Sequence, residues 1–143
     1  MTSVSLKSLL VPSKSTEVEV PGFRDFLVSL SFLSREELLK IRKKATKTTY
    51  KNRQAVEELN DELFLQLYVD STIKGWKGLK FSYLEQLAPV DITGQNPDDE
   101  LEFSPDNALY LMKASSIFDS FVSETVTDLA NFQQASGTKS ASK

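Results

Sequence analysis

The sequence predicts a mainly α protein: a single helical domain over residues 1–132 with a small N-terminal β-hairpin at about 17–33, then a disordered polar tail over 133–143. Three observations carry that expectation. Leu63, Phe64, Leu65, Leu67, Tyr68, Val69 and Ile73 are interrupted only by Gln66, Asp70, Ser71 and Thr72, and a helix apolar on nearly every side buries itself in a core. Ser34-Arg35-Glu36-Glu37 and Ser104-Pro105-Asp106-Asn107 are helix start signals, each placing a hydroxyl where it can accept a free backbone N–H of the first turn. Val18 and Val20, and beyond the Pro21-Gly22 turn Phe26, Val28, Leu30 and Phe32, alternate with period two, which is the spacing of a strand.

Taken in order, Glu17–Val20 and Phe26–Leu33 form the hairpin, and because two strands are marginal alone they need helices over their apolar face. The helix that Ser34 opens carries Leu38, Ile41 and Ala45 on one side. Its acids Glu36 and Glu37 lie at the positive end of the dipole and Lys43 and Lys44 near the negative end. Thr46 to Asn52 is β-branched and polar and reads as a break, with Gln54 to Asn60 as a first turn into the central helix. Phe81 to Ala88 supplies about two helical turns before Pro89 stops it. Pro89 to Glu102, with Gly94, Pro97 and five acids, is a loop. A helix with Ala108, Leu109, Leu111 and Met112 follows Pro105, Ser115-Ser116 bends or breaks it, and Phe118, Phe121, Val122, Thr125, Val126, Leu129 and Phe132 recur at helical spacing through a closing helix. Its phenylalanines are expected in the core rather than in a partner groove, since a chain of this size needs its aromatics inside.

The only tryptophan, Trp76, lies between Gly75 and Gly78. Gly75 is expected to take the positive φ that ends the central helix and Gly78 to turn the chain again. Gly75, Trp76 and Gly78 therefore read as a structural anchor, an aromatic plug at the end of the core, in preference to a ligand-stacking site.

Composition removes whole classes of chemistry. With no cysteine and no histidine, a disulfide, a thiolate nucleophile, a Ser-His-Asp triad, a zinc hydrolase centre and a histidine pH switch are all excluded. Five dispersed glycines form neither a dinucleotide fingerprint nor a phosphate loop. Asp91, Asp98, Asp99, Glu100 and Glu102 lack the spacing of a calcium loop, so the acidic stretch reads as solvated. No catalytic, cofactor-binding or metal-ligating residue is expected. Nowhere do 18 apolar residues run together, and the N-terminus lacks the apolar core of a signal peptide; no membrane association is expected, and the cytoplasm is the expected location.

The net charge of -3 is divided unevenly. Residues 1–53 hold 11 Lys/Arg against 5 Asp/Glu, and residues 54–143 hold 6 against 15. Most of the positive charge lies in Lys40, Arg42, Lys43, Lys44, Lys47, Lys51 and Arg53, with no acid among them. These are the candidate interaction residues. A nucleic-acid patch has this composition, but so has the solvated end of a helix, and the acidic remainder would repel phosphate; nucleic acid is the alternative partner.

A family resemblance adds to this. A Pro-Gly hairpin, then Leu33-Ser34-Arg35-Glu36-Glu37-Leu38 into Ile41-Arg42-Lys43-Lys44-Ala45-Thr46, then Ile73-Lys74-Gly75-Trp76-Lys77-Gly78-Leu79 resembles the tail assembly chaperones of long-tailed bacteriophages. Phe103-Ser104-Pro105-Asp106-Asn107-Ala108, Ser116-Ile117-Phe118-Asp119 and Asn131-Phe132 are similar to the C-terminal half of that family. The resemblance implies a non-enzymatic helper that coats the tape measure protein, keeps it soluble and recruits tail-tube subunits. It also implies a longer frameshifted product, which the polar tail could carry, and self-association along the tape measure. It supplies no defined binding residue.

Overall fold

A computed structural model describes residues 4–10 and 14–133. The segment expected as a disordered tail lies, apart from Gln133, outside the described residues. In chain order the elements are α1 (Leu6–Leu9), β1 (Ser15–Glu19), β2 (Leu27–Ser31), α2 (Arg35–Ala45), β3 (Thr46–Lys51), β4 (Gln54–Leu59), α3 (Asp61–Thr72), β5 (Ile73–Lys77), α4 (Phe81–Leu87), α5 (Pro105–Ala114), α6 (Ser116–Val126) and α7 (Ala130–Gln133). The expectation of a mainly α fold is wrong. The described residues are 46% helix and 23% strand with two antiparallel sheets, an α/β fold.

Two segments account for the difference. Thr46–Lys51 and Gln54–Leu59, read as a break and a helical turn, are the two strands of a hairpin, paired from Thr46↔Leu59 to Lys51↔Gln54. Asn52 and Arg53 turn the chain with φ of 53° and 66°, the left-handed pair that matches the twist of a two-residue hairpin. Ile73–Lys77, read as glycine turns, is a strand. It pairs antiparallel with β2 (Leu27↔Lys77, Val28↔Trp76, Ser29↔Gly75) and makes the expected hairpin into a three-stranded sheet of order β1-β2-β5. Its partner lies far away in sequence, and strand formation depends on such partners more than on local preference.

The helix starts follow the sequence. The Ser34 hydroxyl accepts the Glu37 N–H at 3.1 Å, Asn60 Oδ1 accepts the Leu63 N–H at 3.0 Å, and Ser104 Oγ accepts the Asn107 N–H at 3.0 Å. Ser115 ends α5 and its Oγ accepts the Phe118 N–H at 3.0 Å, so the Ser115-Ser116 step separates two helices. The closing helix stops at Val126, leaving Leu129 exposed and Phe132 buried on α7 against Phe32. The central helix is not buried all round either: only Val69 and Thr72 of α3 are fully inside, and Phe64, Leu65, Leu67 and Tyr68 are half-buried against α2 and α5. The core sits instead on one face of the three-stranded sheet, where Val28, Leu30 and Phe26 meet Phe118, Val122 and Val126 of α6.

Candidate functional site

Trp76 projects from the core face of β5. Its ring meets Phe103, Phe118 and Phe26 edge-to-face at 5.2, 6.1 and 6.4 Å, and its indole N–H donates to the Leu101 carbonyl at 2.9 Å. That bond satisfies the one polar atom the ring would otherwise bury. Gly75 lies inside the strand without a positive φ, contrary to expectation, because α3 already ends at Thr72. Gly78 does turn the chain, at φ +81°, and a Cβ there would overlap the Asp25 carbonyl oxygen; only glycine fits both the conformation and the space.

The basic residues divide between two elements. Lys40, Arg42, Lys43 and Lys44 lie on α2, Lys47 and Lys51 on β3, and Arg53 in the turn between β3 and β4. Lys40 and Lys44 meet Lys74, Glu37 and Asp70 around a cleft of about 400 Å³, so the cleft holds both signs. On the hairpin the basic strand faces an acidic one: Lys47 pairs with Glu58, Thr48 with Glu57, and Lys51 Nζ lies 3.7 Å from Glu58. The segment is thus a bipolar ribbon and not a uniform cationic patch.

The acidic loop serves the fold. Glu100 accepts the Gly78 N–H at 3.0 Å, and the Asp99 and Pro97 carbonyls accept the N–H groups that open α4. The Thr93 hydroxyl and amide both donate to Asp91 and hold its carboxyl below the usual carboxylate value. Among the described residues no group of three or more acids could hold a metal ion. The other shifted group, Tyr68, has its phenol pushed up by partial burial; its O–H donates to Ser123 Oγ at 3.3 Å, which opposes the shift, and nearby Asp119 adds to it.

Sequence reasoning missed three surfaces. The first is the β3–β4 arm, in which no residue of either strand is buried and Tyr50 is 76% exposed; Asn52 beside a β-branched run was its available signal. The second is the outer edge of β1, bordered by a groove of about 630 Å³ between β1 and α6 that Val18, Val20, Ile117, Phe121 and Glu124 line. Phe121 packs against Phe118 at the margin of the core and also lines this groove, whereas Phe118 and Phe132 are fully buried, a division helical spacing does not reveal. The third is a cluster at α1, where Val4, Leu6, Leu9 and Leu10 are each more than 60% exposed. It borders a cleft of about 550 Å³ that also has Phe32 and Leu129 in its wall. A run of leucines in a four-residue helix gave no period to read.

A family model described as "YdaY prophage protein" matches residues 33–143. The chain belongs to that prophage protein family. It is therefore of phage origin. The matched span takes in α2, the arm, β5 and every later helix, whereas β1 and β2 lie N-terminal to it. No curated protein and no solved structure matches the chain. Among the described residues no helix is long and apolar enough to cross a membrane.

Proposed function

We propose that this prophage protein is a tail assembly chaperone, a non-enzymatic helper that binds the tape measure protein, keeps it soluble in the host cytoplasm and helps bring tail-tube subunits to it. The observation that carries the reading is the exposed cluster at α1. Val4, Leu6, Leu9 and Leu10 stand 63–69% exposed, and Leu9 and Leu10 line a cleft with Phe32 and Leu129 whose charged lining is Lys14, Arg35, Glu36, Glu37 and Lys40. Contiguous exposed apolar surface rimmed by charge marks a protein-binding site. A tape measure chain carries an apolar helical stripe that has no cover before the tube forms, and an apolar helix face laid against such a cleft is a common recognition mode.

Support also comes from position. The motifs from Leu33 onward that resemble the tail chaperones all fall inside the matched prophage span. In this reading a longer frameshifted form would carry the contact with the tail tube. Co-expression with the tape measure protein encoded in the same prophage is the test. The chaperone reading expects a soluble complex that survives size-exclusion chromatography, and expects Leu6→Ser with Leu9→Ser to return the tape measure protein to the pellet. A tape measure protein equally insoluble with and without the chain contradicts it.

A further inference from the structure

We infer that the groove along α2 takes an acidic amphipathic helix. Apolar side chains of that helix lie on Leu9, Leu10, Phe32 and Leu129, and its carboxylates, about two turns further along, meet Lys40, Lys44 and Lys74. This deepens the chaperone reading and rests on it only for the source of the helix, a stretch of the tape measure protein; the chemistry of the groove is tested without that protein.

Two clefts make one track. The cleft of about 550 Å³ beside α1 and the cleft of about 400 Å³ between α2 and α3 share Glu37 and Lys40, whose i,i+3 spacing puts them on the same side of α2. Arg35 and Glu36, in the first turn, border the α1 cleft, and Ile41 and Lys44, toward the other end, border the second. The chain leaving β2 touches both, with Phe32 in the wall of the first and Ser31 in that of the second. The far wall of the second is Leu67, Asp70 and Ser71 of α3 with Lys74 of β5. From Arg35 to Lys44 α2 advances about 14 Å, enough to line roughly two and a half turns of a helix laid along it. An amphipathic helix in such a groove is a common mode of recognition.

Charge selects the occupant. In the second cleft Lys40, Lys44 and Lys74 are exposed and outnumber Glu37 and Asp70. Along the whole track the five cations Lys14, Arg35, Lys40, Lys44 and Lys74 stand against the three carboxylates of Glu36, Glu37 and Asp70. None of these residues joins an ion pair among the described residues. The chain as a whole carries a net charge of -3, so the track opposes the sign of the rest, and an acidic segment is steered to it.

The ammonium groups border the cleft from both walls. Lys40 and Lys44, at i and i+4, share one side of α2. On the other wall the Lys74 ammonium donates to the Asp70 carbonyl at 2.7 Å, which holds the charge at the end of α3 and leaves two of its three N–H groups for a carboxylate. Ile41 is buried and Leu67 half-buried in the same cleft, so a carboxylate bound there is less screened than one on an open surface. A basic helix would set its own cations against these lysines. A nucleic-acid backbone would meet Glu37 and Asp70 among them and, at the α1 end, leucines that offer a phosphate no donor.

The test uses the full chain and two fluorescently labelled helical peptides with the same leucine stripe, one carrying glutamates two turns beyond it and the other lysines at those positions. Fluorescence anisotropy should show the glutamate peptide bound on the order of tenfold more tightly at low salt, an advantage that shrinks as salt rises. Lys40→Glu/Lys44→Glu should invert the preference, and Lys40→Gln/Lys44→Gln, which removes the charge without reversing it, should abolish it; unchanged thermal unfolding shows that both fold. Leu9→Ser/Leu10→Ser should weaken both peptides alike. Carbodiimide coupling of the bound glutamate peptide, mapped by mass spectrometry, should mark Lys40, Lys44 or Lys74 and leave Lys47 and Lys51 of the arm unmarked. No binding of either peptide, equal binding of both, a preference that neither lysine variant moves, coupling confined to the arm, or displacement of the glutamate peptide by an equimolar DNA duplex would each overturn the inference, even where the chain keeps the tape measure protein soluble. A glutamate preference that the lysine variants invert, in a chain that leaves the tape measure protein in the pellet, would support the groove's chemistry and overturn the chaperone reading alone.

Discussion

Val28 on β2 and Val56 on β4 are the same residue in the same kind of antiparallel ladder. Val28 is fully buried, between Val18 and Trp76 on neighbouring strands, whereas Val56 is half-exposed opposite Thr49. The sheet around Val28 is covered by α6, and its strands persist because their apolar face leaves water. The arm around Val56 covers nothing: no residue of its strands is buried, and it joins the body chiefly where β3 leaves α2. A two-stranded ribbon on its own is marginal in water. The body is thus held by packing, the arm by its own ladder, its turn and one weak ion pair.

That contrast can be broken at its strong end first. Trp76→Ala empties the edge-to-face cluster with Phe26, Phe103 and Phe118 and leaves the Leu101 carbonyl without its donor; it should cost about 3–5 kcal/mol in denaturant unfolding, and native fluorescence should be blue-shifted from that of the unfolded chain. Gly78→Ala should cost about 1–3 kcal/mol for the backbone conformation alone, and more as the Asp25 carbonyl is pushed aside. Replacing residues 47–58 of the arm by a two-residue turn between Thr46 and Leu59, which are already cross-strand neighbours, should move Tm by no more than ~2–3 °C. A larger fall would mean that the arm belongs to the core.

The smallest effect concerns pH. The Tyr68 phenol is raised in the folded chain by burial, so the unfolded chain ionises first as pH climbs. The resulting contribution to stability is intact below the ordinary tyrosine value of about 10 and is lost as pH rises through the folded value. Tyr68→Phe should flatten that part of the alkaline decline, read as Tm against pH for both chains.

What was legible in the sequence follows the same division. Ser34, Ser104 and Pro105 act within a few residues, and their helices start where the pattern puts them. Val18, Val28 and Leu30 alternate, and their strands exist, although in a larger sheet than a hairpin. Ile73–Lys77 was not legible because its identity depends on β2, and its glycines, read locally, suggest turns. Thr46–Leu59 was hidden differently: its strands alternate without burying anything, so no apolar period separates them from a polar break. The groove beside β1 needed both the sheet order and the position of α6. The basic cluster was visible as composition, but only the ladder shows Lys47 and Thr48 opposite Glu58 and Glu57.

Native-state hydrogen exchange on the dilute chain tests most directly the claim that arm and body are separately held. In the arm the Lys47, Thr49 and Lys51 amides face their cross-strand partners, as do the Val28 and Leu30 amides in the sheet. The arm amides should exchange through local opening, with protection far below the global unfolding free energy, while those of Val28 and Leu30 exchange only as the whole chain unfolds. Equal protection in the two ladders would contradict the account.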